Sequence, residues 1–244
     1  MKDRRNGTEA LDLYAKVEDL LGVHEAAPRL YAHYLLTLHS LEFESLLDVG
    51  CGSGEFIRQI SGAFPDARFI GIDLSPEMVR RAREKGVDAR CADLCDVEGR
   101  FDVITCVFDM LNYLSPEELP GFMRCLAARL RPGGFLLCDL NTLHGFETVA
   151  VGAFTAEDPT RFVAIESDFE AGIYTADFTL FEKKNEGCWK KNSRRIRQYP
   201  HTPELLAGLG RLELVHDEGI CLYDEEEPDK RFLVYRYDAS AFRG

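Results

Sequence analysis

Leu46-Leu47-Asp48-Val49-Gly50-Cys51-Gly52-Ser53-Gly54-Glu55-Phe56 decides the fold. A short apolar run enters a glycine turn, and the turn opens into a helix-like pattern. Glycine is needed where a chain turns sharply and a ligand comes close to its backbone, because no side chain intrudes. The spacing here is G-x-G-x-G. The dinucleotide fingerprint is G-x-G-x-x-G, with the helix opening onto a pyrophosphate. In this chain the last of those glycine positions holds Glu55. A carboxylate there suits a helix start and repels a pyrophosphate. Asp48, just before the turn, points the same way and favours a ligand bearing positive charge. Unit charges 4 Å apart attract by about 4 kcal/mol at an effective dielectric of about 20, before desolvation is subtracted.

Downstream, strand and helix patterns alternate. The strands are continuous apolar runs at Ser45–Val49, Arg68–Ile72, Val87–Ala92, Phe101–Phe108 and Gly134–Leu140. Such runs fit a parallel sheet covered on both faces. Helices are expected at Glu55–Gly62, Pro76–Lys85 and Pro116–Leu130. Ser75 can cap the second and Pro76 suits its first turn. Arg131-Pro132-Gly133-Gly134 ends the third. Residues 10–40 read as helical, with Leu11, Tyr14, Val17, Leu20 and Leu21 on one face and Leu30, Tyr34, Leu38 and Leu41 repeating the spacing.

After Thr142 the pattern changes. Residues 161–199 alternate apolar and polar positions, as in antiparallel strands with one exposed face. Asn185-Glu186-Gly187 is the expected turn between two of them. The aromatic residues Phe169, Tyr174, Phe178, Phe181 and Trp189 are expected mostly on the apolar face. A short helix near Pro203–Leu209 and strands at Leu212–Asp217 and Phe232–Tyr237 complete the chain. The acidic stretch from Asp224 to Asp229 reads as a solvated loop.

The fold expected is therefore α/β and doubly wound (Rossmann-like), with a mostly parallel seven-stranded sheet. An antiparallel three-stranded sheet is inserted after the fifth strand. Residues 1–244 read as a single domain. Its parts are N-terminal helices (1–44), a ligand-binding half (45–141), the inserted sheet (142–200) and a C-terminal helix with strands (201–244).

Two more acids follow the first. Asp73 ends the second strand in Phe69-Ile70-Gly71-Ile72-Asp73-Leu74-Ser75. An acid there can accept hydrogen bonds from both hydroxyls of a ribose, each worth about 1.5–3 kcal/mol. Asp93 ends the third strand in Cys91-Ala92-Asp93-Leu94 and can accept from the exocyclic amine of adenine. Three successive strands thus end in an acid at the edge where open α/β sheets bind ligands.

Composition excludes several classes. The chain has 244 residues, 45% of them hydrophobic, and a formal net charge of -13. That is enough for one large core, and the charge disfavours non-specific nucleic-acid binding. There is no 18-residue apolar run and no signal-like segment, so a soluble cytoplasmic protein without a membrane partner is expected. The eight cysteines include no Cys-x-x-Cys pair. They read as small buried hydrophobes in a reducing compartment, and no metal site is expected.

These motifs resemble the class I S-adenosylmethionine-dependent methyltransferases. The resemblance rests on Leu47–Gly54, on Gly71-Ile72-Asp73-Leu74-Ser75-Pro76-Glu77-Met78, and on Leu130-Arg131-Pro132-Gly133-Gly134. Two further stretches, Cys106–Leu114 and Cys138-Asp139-Leu140-Asn141-Thr142, look like those of a bacterial subgroup near the glycine N-methyltransferases and sugar N,N-dimethyltransferases. The resemblance implies S-adenosyl-L-methionine as cofactor. It implies that Asp48, Gly50, Cys51 and Gly52 line the methionine end, and that Asp73 holds the ribose with Leu74 and Met78 beside it. Asp93 and Leu94 would flank adenine, Phe108 would close the site, and Tyr14 would sit over it as a lid. The cofactor carries an ammonium, a sulfonium and one carboxylate, which agrees with the acidic strand ends.

Methyl transfer to a small-molecule amine or hydroxyl by in-line displacement is the expected reaction. It needs alignment and dryness more than strong chemistry, so no catalytic residue is assigned. Asp109, Asn112 and Tyr113 follow the fourth strand, and Asn141 and His144 follow the fifth, where they flank the expected acceptor cleft. Asp109 can hold or deprotonate an amine, and nothing in the sequence pairs His144 with another group. No Asn/Asp-Pro-Pro-Tyr/Phe tetrapeptide follows the fourth strand, which argues against methylation of base amino groups. The basic run Lys183, Lys184, Lys190, Lys191, Arg194, Arg195 and Arg197 reads as a solvated face or a protected sheet edge. The alternatives are an RNA or protein methyltransferase, an NAD(P)-dependent oxidoreductase, and a cofactor-binding module without catalysis.

Overall fold

The structure, a computed structural model, describes residues 10–184 and 187–238. The expected turn at Asn185 and Glu186 lies outside them. Five parallel strands form the main sheet: β1 (Ser45–Val49), β2 (Arg68–Asp73), β3 (Ala89–Cys91), β4 (Phe101–Cys106) and β5 (Leu130–Asn141). Two antiparallel strands extend it, β10 (Leu212–Ile220) and β11 (Lys230–Tyr237). The order is β10-β11-β5-β4-β1-β2-β3. β1 lies between β2 and β4, so the crossovers diverge at its carboxyl end, and that is the crevice where such sheets take ligands.

The helices are α1 (Val23–His39), α2 (Glu55–Ile60), α3 (Pro76–Glu84), α4 (Leu119–Arg129) and α5 (Pro203–Gly210). All five residues of β1 are buried. Their side chains alternate between two cores, because successive residues of a strand face opposite ways. Leu47 and Val49 join Met123 and Leu126 of α4, whereas Leu46 joins Leu30, Tyr34 and Leu38 of α1. The periodic face expected for Leu30, Tyr34 and Leu38 is the face that α1 buries. Ser75 caps α3 as its sequence indicates, its Oγ accepting from Met78 N at 3.2 Å, with Pro76 in the first turn. Arg131–Gly134 do not interrupt β5; they fall where the β4–β5 register shifts between Phe101 and Val103.

The helical stretch expected over 10–40 is broken. Residues 10–15 are helical, a 3-10 turn covers Glu18–Leu20, and Gly22 takes a left-handed φ of 70° before α1 begins. The buried face of the first part holds Ala10, Leu13 and Val17, packed on the inserted sheet. This segment straps the two sheets together. Ser75 Oγ donates to Asp12 Oδ1 at 2.5 Å, and Arg81 donates to Ala15 O at 2.5 Å. On the other side Arg161 donates to Asp19 at 2.7 and 2.9 Å, and Lys16 donates to Glu182 at 3.2 Å.

The inserted sheet has four strands, not three: β6 (Gly152–Glu157), β7 (Arg161–Glu170), β8 (Ile173–Lys183) and β9 (Trp189–Gln198), all antiparallel. β6 is an edge strand with almost every residue exposed, so it carries no apolar alternation to read. The aromatic residues of this sheet also divide between its faces. Phe178 is buried on the inner face, while Phe181, three positions on, points the opposite way with Trp189, which is 48% exposed. Most of the basic run occupies β9, the outer strand.

The cysteine expectation fails at five of the eight. Cys95 and Cys125 form a disulfide, and Cys91, Cys188 and Cys221 are exposed; only Cys51, Cys106 and Cys138 are buried as expected. The bonded pair is 30 residues apart and is brought together by the packing of the turn after Asp93 on α4, which no spacing rule reveals. Among the described residues no helix is long and apolar enough to cross a membrane.

Candidate functional site

The glycine turn is held from below. Gly50 N and Cys51 N both donate to Ile72 O, at 2.8 and 3.0 Å. Gly52 N donates to Asp73 Oδ2 at 2.9 Å, and Ser75 N donates to Asp73 Oδ1 at 2.8 Å. Asp73 therefore braces two turns and keeps lone pairs for a ligand. Burial raises its carboxyl above the usual range, against those hydrogen bonds. Asp48 is fully buried beneath the turn and accepts from Thr105 Oγ1 at 2.7 Å. Burial pushes it up to about 7, with Asp73 adding to the shift. A cation arriving there reverses that penalty.

The turn also shows where a ligand fits. A Cβ built at Gly54 would stand 2.9 Å from Ala82 Cβ, so this glycine is closed by α3. A Cβ at Gly52, with φ of 52°, meets nothing within 4 Å. The open side of the loop is thus at Gly52, above Asp48 and beside Asp73. The acidic donor set suits S-adenosylmethionine and not a pyrophosphate. Glu55 is already engaged by Arg58 at 2.5 Å and Lys85 at 3.4 Å, and the Arg58 hydrogen bond leads in lowering it to about 2.

The other cofactor candidates lie along the same edge. Leu74 is exposed, Met78 and Cys51 are buried, and Asp93 accepts from Cys95 N at 2.9 Å while capping a short turn. Leu94, expected beside adenine, is 2% exposed and belongs to the core cluster of Ile70 and Ile72. Its apolar side chain is taken by the fold. Phe108 is half-buried with its ring 5.7 Å from Tyr31, and the Tyr14 ring edge meets Phe178 at 6.2 Å.

Beside this crevice stands a buried polar cluster. Asp139, in β5, accepts from Phe108 N at 2.7 Å, Asp109 N at 2.8 Å and Tyr34 OH at 2.7 Å. Lys230, the first residue of β11, donates to Asp109 Oδ1 at 2.5 Å and Asn141 Oδ1 at 2.8 Å, and stands 3.3 Å from Asp139 Oδ2. Gln198, from β9, donates to the other oxygen of Asp109. Burial raises the Asp109 carboxyl, and Lys230 opposes the rise. The Asp109 charge in turn raises the hydroxyls of Tyr14, Tyr113, Tyr174 and Tyr223, all already raised by burial, so four tyrosines share its field.

Of the residues the sequence singled out for the acceptor side, Asp109, Tyr113 and Asn141 meet in this cluster. Asn112 is a brace: fully buried, it donates to Tyr199 O at 2.8 Å and accepts from Asn141 N at 3.0 Å. His144 is paired after all, with Nε2 2.7 Å from Asp224 and Nδ1 3.5 Å from Glu227. Its pKa is raised, chiefly by the Asp224 hydrogen bond. The acidic stretch is correspondingly not a plain solvated loop. Asp229 is buried and accepts from Leu222 N at 2.9 Å and Asp224 N at 2.8 Å. No local pattern in the sequence marks Lys230, Gln198 or Tyr223. Asp139 offered the one local signal, an acid inside an apolar strand.

Comparison with known proteins bears on this geometry. Residues 46–134 match the family model described as "Methyltransferase domain". The chain is 32% identical, over 54% of its length, to dTDP-3-amino-3,6-dideoxy-alpha-D-glucopyranose N,N-dimethyltransferase of Streptomyces fradiae, covering 52% of that protein. It is 30% identical, over 52% of its length, to trans-aconitate 2-methyltransferase of Mycobacterium tuberculosis, covering 49%. The chain thus spans about half the length of the curated relatives it matches. Among solved structures it is similar in fold to CalS10, an amino pentose methyltransferase from Micromonospora echinaspora. The TM-score is 0.64 at 24% identity, with 88% of this chain and 96% of that one covered. Residues 46–134 match a methyltransferase domain, and the chain is similar in fold to solved S-adenosylmethionine-dependent methyltransferases.

Proposed function

We propose that this chain transfers the methyl group of S-adenosylmethionine to an amine of a small-molecule acceptor. The observation that carries this reading is the Asp109 carboxylate, 15% exposed at the carboxyl edge of the sheet and held by Lys230 and Gln198. The cofactor, when bound, supplies a methyl carbon already activated by its sulfonium. The chain has then to align the two partners and exclude water. Asp48, Gly50, Cys51 and Gly52 would hold the methionine end, Asp73 the ribose with Leu74 and Met78, and Asp93 the adenine amine. Phe108 and Tyr14 would close over it.

On the acceptor side, nitrogen becomes positively charged as its new bond forms. A carboxylate fixed beside that atom stabilises the charge without reorganising. Tyrosine ring faces attract the same charge, by about 0.5–2 kcal/mol each. A hydroxyl acceptor loses its proton and ends neutral, so it gains little from this arrangement. A carboxylate acceptor is repelled by Asp109 and Asp139. The names of the Streptomyces fradiae and Micromonospora echinaspora relatives, which mention amino sugars, support the same choice.

The test is methyl transfer from labelled S-adenosylmethionine into a cell extract, separated into small-molecule, RNA and protein fractions. Label in small molecules retained by a cation exchanger is expected, falling about 100-fold or more with Asp109→Asn. Label left on the cofactor, or found only in RNA or protein, overturns the reading.

A further inference from the structure

A lysine ammonium, 2% exposed, stands in the middle of the acceptor cluster. All three of its protons have an oxygen to meet: Asp109 at 2.5 Å, Asn141 at 2.8 Å and Asp139 at 3.3 Å. The Phe108 ring lies 6.0 Å away. Burying an ammonium costs several kcal/mol, which a strand end without a task would not require. One cation serves two carboxylates. Asp109 is gripped from both sides, by Lys230 of β11 on one oxygen and by Gln198 of β9 on the other. Its carboxylate has no freedom to turn.

We propose that Lys230 is a positioning residue that sets acceptor choice: with Gln198 it pins both oxygens of the Asp109 carboxylate, so that the cleft takes a nitrogen that becomes cationic. This rests on the reading of Asp109 given above. Lys230 acts through Asp109 and touches no substrate. Without it, two carboxylates share one dry site, and like charges so close do not both stay ionised. A proton is then taken up, and the cleft loses its negative charge. Lys230 from β11 and Gln198 from β9 hold the Asp109 carboxylate, and the groups that share charge interactions with it are Asp139 from β5, Tyr14 from the N-terminal segment, Tyr113 from the turn after β4, Tyr174 from β8 and Tyr223 from the loop before β11. Tyr113 and its partners stay neutral through burial, which leaves Lys230 as the cation of the set.

Two readouts separate this role from a structural one, both on protein saturated with S-adenosylhomocysteine. The first is the titration of Asp109 followed by carbon NMR of labelled aspartate, assigned with Asp109→Asn. Lys230→Met is expected to raise the midpoint by about one pH unit or more, and Lys230→Arg to leave it near the wild-type value. The second is binding of tetramethylammonium, a quaternary probe for a carboxylate with aromatic walls. Its affinity is expected to fall about tenfold or more in Lys230→Met and to recover in Lys230→Arg. Should Lys230→Met fail to bind S-adenosylhomocysteine, Gln198→Leu carries the test, since it frees the opposite oxygen and leaves the ion pair, and the same loss of probe binding is expected. An unmoved midpoint and unchanged probe affinity in a folded variant overturn the proposal. A protein that behaves as expected here yet methylates no amine refutes the activity and leaves the Lys230 assignment standing.

Discussion

The Asp139 carboxylate accepts the backbone N–H of Asp109 at 2.8 Å, and through it β5 fixes the loop that leaves β4. Phe108 and Asp109 both have positive φ, 55° and 49°, where non-glycine residues are strained by about 1–3 kcal/mol each. Asp139 offsets that strain with two backbone hydrogen bonds, and Tyr34 OH orients it from α1. Asp139→Asn puts an amide where an acceptor is needed and leaves Lys230 short of one partner. Urea denaturation is expected to show a loss of about 3 kcal/mol, and methyl transfer to fall with it. A variant as stable as the wild type would mean that the loop holds its shape without Asp139.

The parallel half of the fold is legible in the sequence because its signals are local. Gly50, Gly52 and Gly54 are adjacent to the strand they terminate, and Asp48, Asp73 and Asp93 each mark the end of an apolar run. The buried polar cluster is legible only in part. Asp109, Asp139, Gln198 and Lys230 come from four separate elements and span 121 residues between Asp109 and Lys230. No period or spacing connects them, and Lys230 is hidden at the end of an acidic stretch that looks solvated. β6 escaped notice for a different reason, since an exposed edge strand has no apolar face to alternate. Cys95 and Cys125 show that single cysteines become a pair only when the fold is known.

Gly52 and Gly54 are expected to separate ligand contact from packing. Gly54→Ala drives a methyl onto Ala82 Cβ, 2.9 Å away, in a backbone conformation with φ of 76°. Alanine at Gly52 meets nothing within 4 Å and bears only the strain of its φ of 52°, about 1 kcal/mol. Gly52→Ala should therefore melt within a few degrees of the wild type and lose the stabilisation that S-adenosylhomocysteine confers. Gly54→Ala should be the less stable protein before any ligand is added. Equal ligand shifts in wild type and Gly52→Ala would remove the open side of the turn from the binding site.

Asp48 is expected to make stability depend on pH in an unusual sense. Its folded-state value, about 7, lies above its unfolded one. Between the two, the native state binds more protons than the unfolded state, so stability falls as pH rises from about 4 to 7 and levels off above. Asp48→Asn keeps the acceptor for Thr105 and removes the titration. It should be more stable than the wild type at pH 8, by a few kcal/mol at most, with the gap closing toward pH 4. It should also bind S-adenosylmethionine more weakly, because the cation loses its counter-charge. Parallel pH curves for the two proteins would remove Asp48 from the argument.

His144 adds a dependence of the same sign, at higher pH, on the far side of the cleft. Its imidazole faces Asp224 at 2.7 Å and Glu227 at 3.5 Å, so the charged form ties the end of β5 to the loop before β11. The folded value is raised above the ordinary histidine range, with the Asp224 hydrogen bond as the main cause. A raised histidine adds stability that is complete below about pH 6.5 and is lost as pH rises through the folded value. His144→Gln cannot titrate. The melting temperature of wild type should therefore exceed that of His144→Gln at pH 6, and the difference should shrink steadily toward pH 9. The same loop carries Tyr223, whose hydroxyl feels the Asp109 charge, so acceptor KM should rise over that pH interval in wild type more than in the variant. A melting difference that does not change with pH would show that His144 packs in place without acting as a charge.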